Sequence, residues 1–368
     1  MSSRRWRLAA GGLLALVLLA LFFRGVDWAA LGAAFRSANH LYLAGVAGIT
    51  VVTYLLRAWR WGNLLKPLAR VPLRDLLPAT FVGFMSALLV PRAGEVVRPY
   101  LISRRHPIRT SAGFASIILE RLVDLITVLV LFALYLYALP TPAAQTRGPL
   151  LGFLKLGGAL AGLAALAVLA VLLLLHGQAA AVVHVLRRAL GPLPEKWRDL
   201  IAGAVANFAE GLAVLKASPV HLLAIFGQSV LVWLSICLCI WWNNLAFGLD
   251  LPFHTSFLMV AFLTVGVAVP TPGTVGGFHE FYLLALTQAF AVDKGTAAAA
   301  GIACHALSNL PVLVIGLALL GREGLTMGKV AALTEKPPDE RSPGPPPEPP
   351  RPEPPVARMV AASAPRPR

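Results

Sequence analysis

The sequence predicts an all-α polytopic membrane protein of about seven or eight transmembrane helices, with one or two re-entrant hairpins and a pattern open to an inverted repeat. Three observations carry that expectation. Hydrophobic residues make up 57% of the 368 and charged residues 13%, about half the charged share of a soluble domain. The mean hydropathy is +0.73, and that much apolar surface cannot be hidden inside one soluble core, so the surrounding solvent is lipid. The apolar residues fall in blocks close to the roughly 20 residues that a bilayer-spanning helix needs. A soluble enzyme, a secreted disulfide scaffold and a nucleic-acid-binding domain are thereby excluded, although 32 Lys and Arg stand against 17 Asp and Glu, a net charge of +15.

Leu8–Phe23 is the first block, directly after the basic Arg4-Arg5-Trp6-Arg7. It reads as a retained helix rather than a cleaved signal peptide, because Arg24 and Asp27-Trp28 follow it in place of a small-residue cleavage site. Leu41–Leu56, Ala112–Leu139, Gly152–Leu175 and His221–Phe247 are further spans. Two shorter runs, Phe253–Val269 and Phe278–Ala291, are split by the Pro/Gly-rich segment from Pro270 to Gly277, and Thr296–Leu320 is the last span. The split pair reads either as two short spans or, in the preferred reading, as a hairpin entering from outside.

Leu76–Val90 does not fit this scheme, being short and carrying Pro78 and Gly83. Arg57, Arg60, Lys66, Arg70 and Arg74 precede it; Arg92, Arg98, Arg104, Arg105 and Arg109 follow it. Basic short loops mark the cytoplasmic side, so this run is expected to enter the membrane and return on that side, between internal loops at 57–75 and 92–111. Irregular backbone at that depth is tolerated only where protein or a water cavity surrounds it. External loops then fall at 24–40, 140–151 and 248–252, the segment 176–219 is internal, and both termini are cytoplasmic in an inner, plasma membrane. All Lys and Arg lie on the internal side except Arg24, Arg36, Arg147, Lys155, Lys294 and the intramembrane Arg121. The chain divides into a membrane domain, 1–328, and a Pro-rich tail, 329–368. The tail holds 13 of the 29 prolines and cannot form a packed core, which makes it a solvated, disordered segment. Cys237, Cys239 and Cys304 sit in apolar runs without metal-ligand spacing and are expected to be buried, inert thiols.

Ionisable groups at membrane depth are costly and mark function, and three clusters qualify. The first, Pro91 to Arg98, closes the short run: Arg92, Glu95 and Arg98 recur at spacings of three, and Gly94 permits tight backbone. Two guanidiniums beside a broken helix suit a phosphate, against the plainer reading of a loop that only obeys the charge rule. The second is Glu120, Arg121 and Asp124, about 12 Å into its run. Glu120 and Asp124 share a helix face and Arg121 can pair with Asp124, either as a structural staple or as part of a substrate path. The third runs through Pro270, Pro272, Gly273, Gly276 and Gly277 to His279 and Glu280. Its broken backbone opens a helix whose N-terminus attracts anions; a plain interhelical loop is the alternative. The first and third clusters each read Val-Pro, then Gly, then Glu after a short run, and such paired breaks point to a transporter's central site. That hypothesis requires the two segments to meet. Neither a metal site nor a catalytic motif for hydrolysis, dinucleotide or nucleotide binding is present in the sequence, and no cofactor is expected.

These segments resemble the transmembrane region of the lysylphosphatidylglycerol synthase/flippase family over about residues 8–322. The resemblance rests on Pro-x-Arg-x-Gly-Glu-x-x-Arg at Pro91–Arg98, on Glu-Arg-x-x-Asp at Glu120, Arg121 and Asp124, and on a Pro-x-Pro-Gly-Gly-x-Gly-x-x-Glu pattern at Pro270–Glu280. Thr274 stands where that pattern usually has Gly, and Gly277 is an additional Gly. Full-length members carry a soluble aminoacyltransferase domain after the membrane region. Only a Pro-rich tail follows here, so the resemblance implies a flippase-like protein rather than a synthase.

The expected function is to bind, and translocate, an anionic phospholipid or lipid-linked substrate. Arg92 and Arg98 would engage the headgroup, Glu95, Glu120 and Asp124 would orient them or relay protons, and Pro270–Glu280 would form the opposite gate. The alternatives are a membrane enzyme that modifies a lipid headgroup or polyprenyl phosphate, and a non-catalytic scaffold working through its tail. A homo-oligomer and a partner for the Pro-rich tail are compatible with the sequence.

Overall fold

A computed structural model describes residues 28–90, 93–139, 218–269 and 271–323, with scattered positions elsewhere. The runs Leu8–Phe23 and Gly152–Leu175, the segments 140–151 and 176–217, Arg92, Pro270 and the tail 329–368 lie outside these four continuous stretches. Among the described residues every regular element is helical, as expected of an all-α membrane protein.

The described helices are α1 (Trp28–Ser37), α2 (His40–Leu65), α3 (Leu73–Leu89), α4 (Ala93–Ser103), α5 (Thr110–Tyr137), α6 (Pro219–Ala246), α7 (Thr255–Ala268), α8 (Gly277–Leu284) and α9 (Lys294–Leu320). Local chemistry sets several of their starts. Asn39 accepts from the Leu41 amide at 3.0 Å, Ser218 from His221 at 3.3 Å just before Pro219, and Asp293 from Thr296 at 2.8 Å, which satisfies amides that lack an intrahelical partner. Helices α2, α6 and α9 are long and apolar enough to cross a membrane. Helix α5 is as long, 28 residues, but carries Glu120, Arg121 and Asp124. Outward faces are apolar: Val52 and Leu55 on α2, Val130 and Leu134 on α5, and Val314 and Leu317 on α9 are all exposed.

Three expectations are corrected. Residues 24–40 were expected as a loop, yet Trp28–Ser37 is a helix packed on α9, where Ala30 closes on Gly295. The second span was expected to end at Leu56, with Arg57 and Arg60 in a cytoplasmic loop. Helix α2 instead runs on to Leu65, because no Gly, Pro or capping residue interrupts it strongly enough before Pro67 and because Arg60 finds carboxylates inside the bundle. The re-entrant run was expected to turn back within Leu76–Val90. It is one 17-residue helix, and the returning arm is α4, taken from the expected loop 92–111.

Helices α3 and α4 form an antiparallel hairpin, as do α7 and α8. In the first, Gly94 sits on the Gly83 carbonyl and Arg98 crosses Gly83; in the second, Gly277 sits on the Gly266 carbonyl and Phe281 crosses Gly266. Each glycine pair is eleven residues apart, and each crossing side chain follows its glycine by fifteen. The packing repeats too. Helix α3 packs on α9 as α7 does on α5, α4 on α5 as α8 on α9, and α2 on α9 as α6 on α5. Helices α2 and α6 are antiparallel, since Tyr42 meets Trp242, Thr53 meets Ser235, Arg60 meets Ser229 and Asn63 meets His221. The quartet α6–α9 therefore repeats α2–α5 with its direction reversed, and the two hairpins enter from opposite ends. Their tips meet: the 3₁₀ turn Pro272–Thr274 packs on α3, with Gly273 3.7 Å from the Leu88 carbonyl oxygen at its Cβ position. The antiparallel register has a direct check. Thr50 Oγ1 lies 3.9 Å from Cys239 Sγ, so Thr50→Cys is expected to cross-link to Cys239 under mild oxidation, read as a loss of two free thiols by mass spectrometry. A Thr50→Cys protein that keeps every thiol free under these conditions contradicts the register.

Candidate functional site

Four arginines and two carboxylates gather where the first hairpin leans on α2, α5 and α6. Arg60 and Glu120 have no exposed side-chain surface, and Arg98 and Asp124 have almost none. Arg98 grips Glu120 with both ends of its guanidinium, Nη1 to Oε1 at 3.1 Å and Nη2 to Oε2 at 2.9 Å, the bidentate geometry that makes such pairs strong. Arg60 bridges the two acids, with Nη1 2.5 Å from Asp124 Oδ1 and Nη2 3.4 Å from Glu120 Oε1. Arg121 closes the ring from a more exposed position, 2.8 Å from Glu120 and 3.7 Å from Asp124. Neutral donors complete the shell of Asp124: Trp233 Nε1 at 2.9 Å and Ser229 Oγ at 3.4 Å.

Sequence spacing explains the convergence. Glu120 and Asp124 are one turn apart on α5 and both meet Arg60 of α2, while Glu120 also takes Arg98 from α4 and Asp124 takes Ser229 and Trp233 from α6. Ten residues separate Glu120 from the start of α5, and ten separate Ser229 from the start of α6, roughly 15 Å along each axis. Arg98 reaches Glu120 because Gly83 has no side chain: a Cβ there would overlap the Arg98 stem. Aromatic faces line the approach, the Arg98 guanidinium lying 4.3 Å from the Trp61 ring centre and 5.1 Å from that of Phe84.

The tip of the second hairpin is built differently. Gly273 and Gly276 take left-handed backbone, and so does Thr274, at φ 56°, a conformation costly for a β-branched residue. Thr274 Oγ1 donates to the Gly273 carbonyl at 2.7 Å, and His305 Nε2 bonds the same oxygen at 2.8 Å. The His279 ring sits 4.5 Å from that of His305 and its Nδ1 accepts from the Gly276 amide at 3.4 Å. Glu280 points elsewhere, into a cavity of about 370 Å³ with Thr287, Gln288 and Lys294, beside a π-helical turn at Ala285–Ala289.

A sequence model of the lysylphosphatidylglycerol synthase transmembrane region matches residues 8–316. The chain belongs to that family. Glycosyltransferase AglD of Haloferax volcanii is 27% identical over 341 residues, a match covering 86% of this chain and 54% of the relative. The chain thus spans about half the length of the curated relative it matches.

Laid on the structure, the first two motifs converge and the third builds the tip of the second hairpin. Gly94 forms the hairpin crossing and Arg98 joins Glu120, Arg121 and Asp124 in the charged cluster, which ties the first motif to the second. Glu95 is half-buried on α4 and forms no ion pair with Arg98 among the described residues; Arg98 pairs with Glu120 on α5 instead, and Arg92, the third member of the expected triad, lies outside the described residues. Pro272, Gly273, Gly276, Gly277 and His279 build the second tip, and Glu280 faces its own cavity. Thr274, where the family pattern has Gly, occupies a backbone conformation suited to Gly. Sequence reasoning missed Arg57 and Arg60. Their signal was the three-residue spacing Tyr54, Arg57, Arg60 beside Trp61, a helical stripe that continues past the apolar run. The three cysteines are buried and free.

Proposed function

We propose that this protein binds an anionic phospholipid or lipid-linked headgroup at the Arg57–Arg60–Arg98–Arg121 cluster and carries it across the plasma membrane between the two hairpins, with both termini in the cytoplasm. The observation that supports this reading most is the charge of the cluster: four guanidiniums face two carboxylates in a largely buried site, and such an excess is costly unless an anion completes it. In this reading Glu120 and Asp124 fix the arginines and Arg98 anchors the hairpin arm. Arg92, Gly94, Glu95 and the segment Pro270, Pro272, Gly273, Gly276, Gly277 and His279 form the facing tips that open in alternation. Glu280 serves a separate vestibule at the other end of the path.

The test is movement of a fluorescent lipid in proteoliposomes, followed by quenching from outside. Arg98→Ala is expected to abolish protein-dependent movement while the protein stays folded, since Glu120 keeps Arg60 and Arg121. Normal flipping by this variant overturns the assignment. A second reading, an enzyme acting on a lipid-linked substrate, is favoured by one observation: the relative with which the chain aligns is named a glycosyltransferase. A modified lipid formed from lipid and a soluble sugar donor, with no flipping, would select it.

A further inference from the structure

Two of the four arginines are already spoken for. Arg60 and Arg98 each contact a fully buried carboxylate, and each leaves no more than a trace of side-chain surface. The remaining pair is different. Arg57 forms no hydrogen bond or ion pair among the described residues, and its Nε and Nη1 are buried without a partner. Its guanidinium carbon lies 5.2 Å from the Phe84 ring centre and 5.8 Å from that of Tyr54. Arg121 shares Glu120 with Arg98 and Asp124 with Arg60, keeps 44% of its side chain exposed, and lies 5.9 Å from the same Phe84 ring. Glu95 on α4 is within electrostatic reach of Arg121 but forms no close ion pair with it or with Arg57 among the described residues. Four guanidiniums share two carboxylates in this cluster, and Arg57, without an ionic partner among the described residues, and the half-exposed Arg121 both lie beside the Phe84 ring.

From this geometry we infer that the ligand presents a dianionic phosphate group, a terminal monoester or a diphosphate, seated between Arg57 and Arg121 over Phe84. The inference rests on the anionic-headgroup reading above and sharpens it. A phosphodiester headgroup brings one charge for the two guanidiniums of Arg57 and Arg121. A phosphate monoester carries about −1.5 to −2 at pH 7, with a second pKa near 6, and supplies enough acceptor oxygens for both forks. Aliphatic chains on such a ligand would follow the apolar outer face of α2, where Val52 and Leu55 are exposed.

The experiment is a binding titration on the purified full chain in nanodiscs of neutral lipid. Four probes are used: a long-chain polyprenyl phosphate, phosphatidic acid, phosphatidylglycerol and inorganic pyrophosphate. Both monoester lipids are expected to bind at least tenfold more tightly than phosphatidylglycerol at pH 7.5, and that preference is expected to shrink towards pH 5 as the second proton returns. Arg57→Gln and Arg121→Gln are each expected to remove most of the preference, whereas Arg57→Lys, which keeps the charge, retains it; melting in detergent reports that each variant is folded. Competition by pyrophosphate marks free phosphates as ligands of the site, and its failure while the lipids bind assigns the site to lipid phosphates. Equal affinity for phosphatidylglycerol and the monoesters, or an Arg57→Gln protein with unchanged preference, overturns the dianion while leaving anionic-lipid binding intact. Loss of binding to every probe in the wild type overturns both.

Discussion

Glu120→Ala is expected to lower stability by about 3–5 kcal/mol, the usual cost of stranding buried charge, and to reduce the yield of folded protein sharply. Glu120 is the hub of the cluster: Arg98 holds it bidentately, Arg60 lies 3.4 Å away and Arg121 2.8 Å away. Its removal leaves Arg98 without any ionic partner and Arg60 with Asp124 alone, in a place where water cannot reach them. The effect is expected to come from the stranded arginines rather than from the lost bond, and a second substitution separates the two. In Glu120→Ala/Arg98→Leu the uncompensated guanidinium is gone and an apolar stem fills the space beside Trp61, so a large part of the loss is expected to return. Arg121→Ala, at a position nearly half exposed, is expected to cost no more than about 1 kcal/mol. Thermal melting in detergent ranks the three. A Glu120→Ala protein that melts within a few degrees of the wild type means that the carboxylate does not organise the arginines.

How much of this was legible beforehand differs between the frame and the site. Among the described residues most apolar blocks translate into helices within about three residues at each end, because block length and composition govern burial in lipid; α2, which runs nine residues past Leu56, is the exception. Arg98, Glu120, Arg121 and Asp124 stand out for the same reason: a charge inside an apolar run is conspicuous. Arg57 and Arg60 do not, because they follow the run and look like ordinary cytoplasmic basic residues; only the tertiary placement of Asp124 and Glu120 draws them into the bundle. The internal repeat was visible, but through the wrong residues. Val90-Pro91 and Val269-Pro270 suggested a match, and these stand 179 apart, whereas the glycines that cross in the structure, Gly83 with Gly94 and Gly266 with Gly277, stand 183 apart. Helix ends can shift by a turn between halves while a close backbone contact cannot, so the glycine pairs preserve the register that the prolines lose. His279 and Glu280, adjacent in sequence, point to different places because successive helical positions are about 100° apart.

Those glycine pairs support the second large prediction. Gly94→Ala and Gly277→Ala are each expected to destabilise the protein by about 2–3 kcal/mol, near the top of the range for overpacking, and by similar amounts. At Gly94 an added Cβ would lie 2.5 Å from the Gly83 carbonyl oxygen, and at Gly277 it would press on the Gly266 carbonyl in the same way. The obstacle is backbone in both cases, so no side-chain rotation relieves it and the arms must part. Gly48→Ala and Gly227→Ala provide the contrast. Both sit in long helices with nothing within 4 Å of an added Cβ, and both are expected to be neutral or to stabilise by up to about 1 kcal/mol through helix propensity. Parting the first hairpin also withdraws Arg98 from Glu120, whereas parting the second moves only Phe281 and the His279–His305 contact. Gly94→Ala should therefore weaken anionic-lipid binding and Gly277→Ala should leave it near the wild-type level, although both melt early. Melting and binding measured on the same preparations decide it: equal stability losses with unequal binding losses mean that the two halves share one packing solution while a single half carries the charge.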